Sequence, residues 1–252
     1  MKRLFEIILL LSIIGVCILY IFLYYTFNLA ASDNWINIRY RKIILSRYYL
    51  KSLLKLRQIG DARFDYATAN NFTTIILRTY IQSGQTLEPD TLNRVAEEIK
   101  RSLTGTKKII IDKPRMLYDM NESADDAQLT ELLQLYRPYI SLPEKTFTVQ
   151  IFVLNKYVPE PTYAGLVLND TSIFIFTDAI RGVSDLQRTP QNAEVSTILH
   201  EYAHLLGAEH TDSYNCILLP EVENRTFFNR PAAIVDTYCP SDIEEMRKAT
   251  SL

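Results

Sequence analysis

The residues best suited to chemistry stand in one segment, His200-Glu201-Tyr202-Ala203-His204-Leu205-Leu206-Gly207-Ala208-Glu209-His210. His200 and His204 are one helical turn apart, so on a helix both imidazoles leave the same face and can share one zinc ion at roughly 2.0–2.1 Å. Glu201 stands beside them rather than in line. From there a carboxylate can reach a metal-bound water and act as general base. Gly207 can take the left-handed conformation that ends a helix, which turns the chain back and presents His210 as third ligand. Three protein ligands leave the fourth position of a tetrahedral ion to water, the open arrangement of a catalytic zinc. The chain has three His in all, so none is left over for a core or surface role. Glu209 and Asp212 are nearby carboxylates that can stand in as oxygen ligands, whereas His210 completes the nitrogen set. Ser196, one turn before His200, shares its face and is expected to border the pocket beside the zinc, with plain helix packing as the alternative.

Composition removes most competing chemistries. The seven Gly are too scattered for a dinucleotide fingerprint, a Walker loop or a nucleophile elbow. Cys17, Cys216 and Cys239 form no C-x-x-C, which excludes thiolate zinc ribbons, iron–sulfur clusters and thioredoxin-like chemistry. With 27 Lys plus Arg against 29 Asp plus Glu, nucleic acid is not an expected partner. Cys216 and Cys239 flank the segment after the third His, and a disulfide between them would stabilise by roughly 3 kcal/mol in the chain-entropy estimate. Two buried thiols are the alternative.

The elements that must position this segment follow from periodicity and breakers. Thr189-Pro190, a cap followed by proline at the first helical position, opens a helix that runs to Leu206 before Gly207. Strands are expected over 72–81, 109–118 (interrupted by Pro114) and 147–154, and helices over 89–103 and from an N-cap at Ser123 to Leu135. Two short apolar runs, 163–168 and 172–177, are joined by an Asn169-Asp170-Thr171 turn. Ser241-Asp242-Ile243-Glu244 reads as a capping box for a last helix. This alternation indicates an α/β or α+β domain on one sheet.

The motif H-E-x-x-H-x-x-G-x-x-H, as it stands at 200–210, resembles the signature of the metzincin zinc endopeptidases, which include matrixins, adamalysins, astacins and archaemetzincins. The order of elements from Phe72 to Leu252 is similar as well. The resemblance implies a twisted mixed sheet with an antiparallel edge strand, an active-site helix and a C-terminal helix. It also implies that the edge strand binds substrate backbone, the place held here by 163–168, with Tyr163, Ala164, Gly165 and Leu166 as the candidate substrate-binding residues. An exposed edge does offer unpaired N–H and C=O groups to an extended peptide. There is one departure. Metzincins carry a methionine in a turn beneath the metal, yet no Met lies between His210 and Met246. Cys216-Ile217-Leu218 resembles the Cys-x-Met stretch of archaemetzincins, with Leu218 supplying apolar packing without the thioether. The multi-cysteine pattern of that subfamily is incomplete, so the subfamily is left open.

At the other end, residues 7–32 carry no charge between Glu6 and Asp33. As a helix this run spans roughly 39 Å, enough to cross a hydrocarbon core of about 30 Å with tilt. A retained anchor is favoured over a cleaved signal peptide because the apolar region exceeds an ordinary h-region. Basic residues from Arg39 to Arg57, interleaved with Leu, Ile and Tyr, read as an amphipathic helix. A positive-inside count favours a cytoplasmic domain, whereas the pairable cysteines and four glycosylation sequons favour export.

The expected organisation is therefore an N-terminal transmembrane anchor (1–32), a basic amphipathic juxtamembrane segment (33–66) and a zinc metallopeptidase domain (67–252). The expected activity is hydrolysis of a peptide or protein substrate with one catalytic zinc, by a single-pass membrane protein with an extracytoplasmic catalytic domain. A catalytically silent peptide-binding domain on the same anchor is the alternative. The lipid bilayer is the second partner, and no oligomeric state is indicated.

Overall fold

The computed structural model describes residues 2–26, 36, 39–40, 53–54, 59, 73–102, 107–118, 120–136, 146–183, 189–213, 216–219 and 235–250. The chain divides into two units, Met1–Arg57 and Gln58–Leu252. In the first, α1 (Lys2–Tyr24) contains a stretch, Glu6–Tyr24, with mean hydropathy 2.9, long and apolar enough to cross a membrane. An N-terminal signal sequence meets the same criterion. The amphipathic helix expected over 35–57 lies almost wholly outside the described residues.

The second unit is built on a mostly parallel mixed sheet. Its elements are β1 (Thr74–Gln82), α2 (Thr91–Ser102), β2 (Lys108–Ile111), β3 (Arg115–Leu117), β4 (Ser123–Ala124), α3 (Asp126–Leu135), β5 (Thr146–Leu154), β6 (Lys156–Tyr157), β7 (Gly165–Val167), β8 (Ser172–Phe176), α4 (Thr177–Val183), α5 (Pro190–Leu205) and α6 (Pro240–Thr250). The strand order is β2-β1-β5-β8-β7, with β3 also beside β1, and only β7 runs antiparallel to its neighbour. The strand expected over 109–118 is two pieces, β2 and β3, both paired with β1. Between them Pro114 has no N–H to give the ladder, and Asp112 instead pairs with Arg78 at 2.8 Å.

Alternation along β5 and β8 divides their side chains between two cores. Phe147, Val149, Ile151 and Val153, with Ile173 and Ile175, face α2 and α5, while Phe152, Leu154, Phe174 and Phe176 face Leu129 and Leu132 of α3. Burial on both faces explains why TFTVQIFVL is nearly continuous in apolar residues rather than alternating. The helix caps differ in part from expectation. Asp125, not Ser123, caps α3, because Asp125 and Gln128 exchange side-chain bonds with each other's backbone while Ser123 pairs in β4. Thr189 and Pro190 open α5 as expected, the Thr189 hydroxyl accepting from Asn192 N–H at 3.2 Å. α6 begins at Pro240 rather than after Ser241, and the Cys239 sulfur accepts from Asp242 N–H.

One buried carboxylate ties these elements together behind the motif helix. Glu98 of α2 accepts from Tyr238 N–H at 2.9 Å, from the Ser102 hydroxyl at 2.9 Å and from the Arg101 guanidinium at 2.8 Å. Tyr238 in turn donates its phenol to the Leu199 carbonyl of α5 at 2.5 Å. Burial raises the Glu98 pKa, but the bonds from Arg101, Tyr238 and Ser102 outweigh it and hold the carboxyl below its usual 4.5. A folded pKa below the unfolded one gives stability that is present above pH 4.5 and lost as pH falls through the folded value. Glu98→Gln is therefore expected to lower the melting temperature at neutral pH, with the gap to wild type closing below pH 4.5. Thermal melts across pH check this, and a gap that persists unchanged into acid would contradict it.

Candidate metal centre

α5 carries the first two His because its register places them on one turn, and its end supplies the third. Leu206 closes the helix, Gly207 adopts φ 81°, Gly207 N–H bonds the His204 carbonyl and Ala208 N–H bonds the Ala203 carbonyl. This is the paired-bond C-terminal motif in which glycine avoids the Cβ cost of left-handed backbone. The reversal swings His210 back over the helix. The Nε2 atoms of His200, His204 and His210 then lie 3.0, 3.2 and 3.3 Å from one another.

That spacing fits a metal. Three nitrogens each at roughly 2.05 Å from one tetrahedral ion stand about 3.3 Å apart. The second ring nitrogens are already committed: His200 Nδ1 donates to the Ile217 carbonyl at 2.7 Å and His204 Nδ1 to the Ala208 carbonyl at 2.8 Å. Carbonyls only accept, so both Nδ1 atoms carry the hydrogen, and in the neutral rings the Nε2 lone pairs are left for a metal. Glu209 and Asp212, the alternative oxygen ligands, are exposed and do not belong to the cluster of donor atoms that His200, His204 and His210 form within 4.8 Å.

The Ile217 carbonyl is itself held from behind. Asp242, fully buried, accepts from Ile217 N–H at 2.8 Å, Leu218 N–H at 3.2 Å and Cys239 N–H at 3.2 Å. The Cys216–Cys239 disulfide, with Cα atoms 5.3 Å apart, staples the same two segments. Leu218 is buried in the core beside this turn, packing where the resemblance places a methionine. Cys216, Cys239 and Asp242 also cluster, but their sulfurs are bonded to each other and the carboxylate already accepts from three N–H groups. They form a brace rather than a second metal site. Sequence reasoning saw Asp242 only as the interior of a capping box, and a backbone carbonyl such as that of Ile217 leaves no sequence signal at all.

Glu201 is 2% exposed and lines a cleft of about 470 Å³ together with His204 and His210 on one side and Tyr163, Gly165, Leu166 and Val167 on the other. Of the residues expected around this cleft, Ala164 and Ser196 do not reach it. Ala164 is buried with its carbonyl bonded to Phe176 N–H, and Ser196 is 2% exposed on a helix packed against β7, β8 and α2. The helix face through Ser196 and His200 is buried, and the cleft opens only from Glu201 onward.

No family model matches the sequence, and no curated protein matches it either. Among solved structures the chain is similar to archaemetzincin from Archaeoglobus fulgidus complexed with malonate, at 12% identity and TM-score 0.43, over 68% of this chain and 99% of that one. Archaemetzincin from Methanopyrus kandleri aligns at 14% identity and TM-score 0.49, over 73% and 98%. Metalloproteinase-II from Bacteroides fragilis aligns at 17% and 0.44, over 75% of this chain and 56% of its own.

The brace makes a testable link between a distant carboxylate and the metal. Asp242→Ala strands two buried N–H groups and one half-buried one and releases the carbonyl that orients His200, so zinc affinity is expected to fall roughly 10- to 100-fold. Chelator competition on the folded variant measures it. Wild-type affinity in Asp242→Ala would detach the brace from the site.

Proposed function

We propose that this chain is a membrane-anchored zinc endopeptidase. The convergence of three imidazole Nε2 atoms within 3.3 Å, beside a buried carboxylate in an open cleft, carries the reading. Zinc held by His200, His204 and His210 supplies Lewis acidity to a carbonyl and to water. Glu201 takes a proton from the attacking water and passes it to the leaving amine.

The edge strand supports a peptide as substrate. Phe176 N–H bonds the Ala164 carbonyl, and the antiparallel register pairs Leu166 with Phe174, so hydrogen-bonded pairs fall at 164 and 166. The N–H and C=O groups of Gly165 and Val167 therefore point away from β8, toward the open side of the sheet. An extended peptide can add there as a further strand. In this reading Gly165 and Val167 hold substrate backbone, and Tyr163 and Leu166 border the same cleft. The candidate span Glu6–Tyr24 supports the anchor, and the disulfide supports an oxidising compartment for the catalytic unit.

Glu201→Gln tests the chemistry, because the amide keeps the shape of the side chain but accepts no proton. Metal content and fold are expected to survive while peptide cleavage falls by about two to four orders of magnitude. Equal cleavage by wild type and variant would remove Glu201 as the base. Zinc and peptide binding by a wild type that cuts nothing would make the chain a silent binding domain instead.

A further inference from the structure

Gly165 stands where the edge strand meets the proposed base. Unlike Gly84 and Gly207, whose φ values are 83° and 81°, it does not have positive φ. Backbone conformation therefore does not require glycine there, and space does. A Cβ at position 165 would lie 2.5 Å from Glu201 Oε1, 2.7 Å from Glu201 Cγ and 2.8 Å from Thr197 Cγ2. Ordinary carbon contacts lie at about 3.5–4.0 Å.

We propose that Gly165 is a positioning residue for Glu201: the missing side chain is the room in which the carboxylate is held facing the three imidazoles. The inference rests on the peptidase reading for its consequence in rate, but the clearance itself is a matter of packing. α5 packs directly on β7, and Thr197, one turn before Glu201, forms the other wall of the gap. Any side chain at 165 has two ways out. It can push the strand off the helix, which strains a sheet whose Ile173 and Ile175 are fully buried, or it can turn the Glu201 side chain away. The second is cheaper, because a carboxylate at the end of two methylenes rotates more easily than a packed strand moves. Gly165 thus couples the strand proposed to hold the peptide to the group proposed to move the proton, and both are set by one contact.

The test uses the full-length chain in detergent, with Gly165→Ala, Thr197→Ser and the double variant. Gly165→Ala is expected to keep its zinc, to melt somewhat lower because turning Glu201 leaves the contact with the Thr197 methyl, and to lose about 100-fold in kcat, the scale of a misplaced catalytic group, with KM little changed. Thr197→Ser removes the Cγ2 methyl and keeps the hydroxyl, so alone it is expected to leave activity near wild type. In the double variant the space left by the Thr197 methyl lets the added methyl move off Glu201, and kcat is expected to recover by at least tenfold. A crystal structure of Gly165→Ala gives a readout apart from activity: Glu201 turned from the cleft, with the His200, His204 and His210 rings unmoved. Glu201 in its wild-type place in that structure would overturn the proposal. So would a rise in KM alone, which would mark simple obstruction of the peptide, or a loss of zinc and stability without rescue by Thr197→Ser, which would mark a packing role only. If wild type cleaves no peptide yet Glu201 swings away in Gly165→Ala, the peptidase reading falls and the positioning role stands.

Discussion

Three imidazole Nε2 atoms converge at 3.0 to 3.3 Å from one another, around a point where one metal ion could sit, and hydrogen bonds within the second unit fix two of the rings in that arrangement. His200 and His204 are fixed as lone-pair donors because their other nitrogens are spent on the Ile217 and Ala208 carbonyls. Those two carbonyls come from the turns on either side of His210. One is the helix-ending turn at Gly207, and the other is the 216–218 turn clamped by Asp242 and the disulfide. Metal binding energy gained in such a site is also folding energy, since the unfolded chain has no preformed cluster.

The support runs in layers from the ligands outward. Behind the turn stands Asp242 at the start of α6; behind α6 stands Tyr238, which reaches the Leu199 carbonyl in the motif helix; and behind Tyr238 stands Glu98 of α2. Each step is a hydrogen bond to a buried partner, and such bonds are costly to leave half made. The opposite side of the site is simpler. There β7 comes so close to α5 that a Cβ at position 165 would meet Glu201 and Thr197 at under 3.0 Å, and among the described residues β7 is an edge of the sheet.

What was legible in the sequence is what depends on local chemistry. The bounds of α5 follow from Thr189, Pro190 and Gly207, the convergence of the three His follows from helix pitch and a left-handed glycine, and Cys216 and Cys239 are joined as their flanking positions suggested. What was not legible depends on tertiary competition. Ser123 and Ser241 both resemble caps, but Asp125 and Cys239 stand nearer the true helix starts and take that role. Ser196 shares a helix face with His200, yet that face is buried against the rest of the fold, and no periodicity argument reveals which part of an all-round buried helix meets a cleft. The break of one expected strand at Pro114 was marked by the proline, while the continuation of both halves along β1 is a property of the sheet.

Zinc-edge X-ray absorption on the metal-loaded full-length chain tests the central claim most directly, because it reads the ligand atoms themselves. Nitrogen and oxygen scatterers at about 2.0–2.1 Å, with the multiple-scattering pattern of imidazole rings and no sulfur, are expected for His200, His204 and His210 with an open fourth position. Sulfur at about 2.3 Å would place the ion on Cys216 and Cys239 and contradict the assignment of these cysteines to a brace.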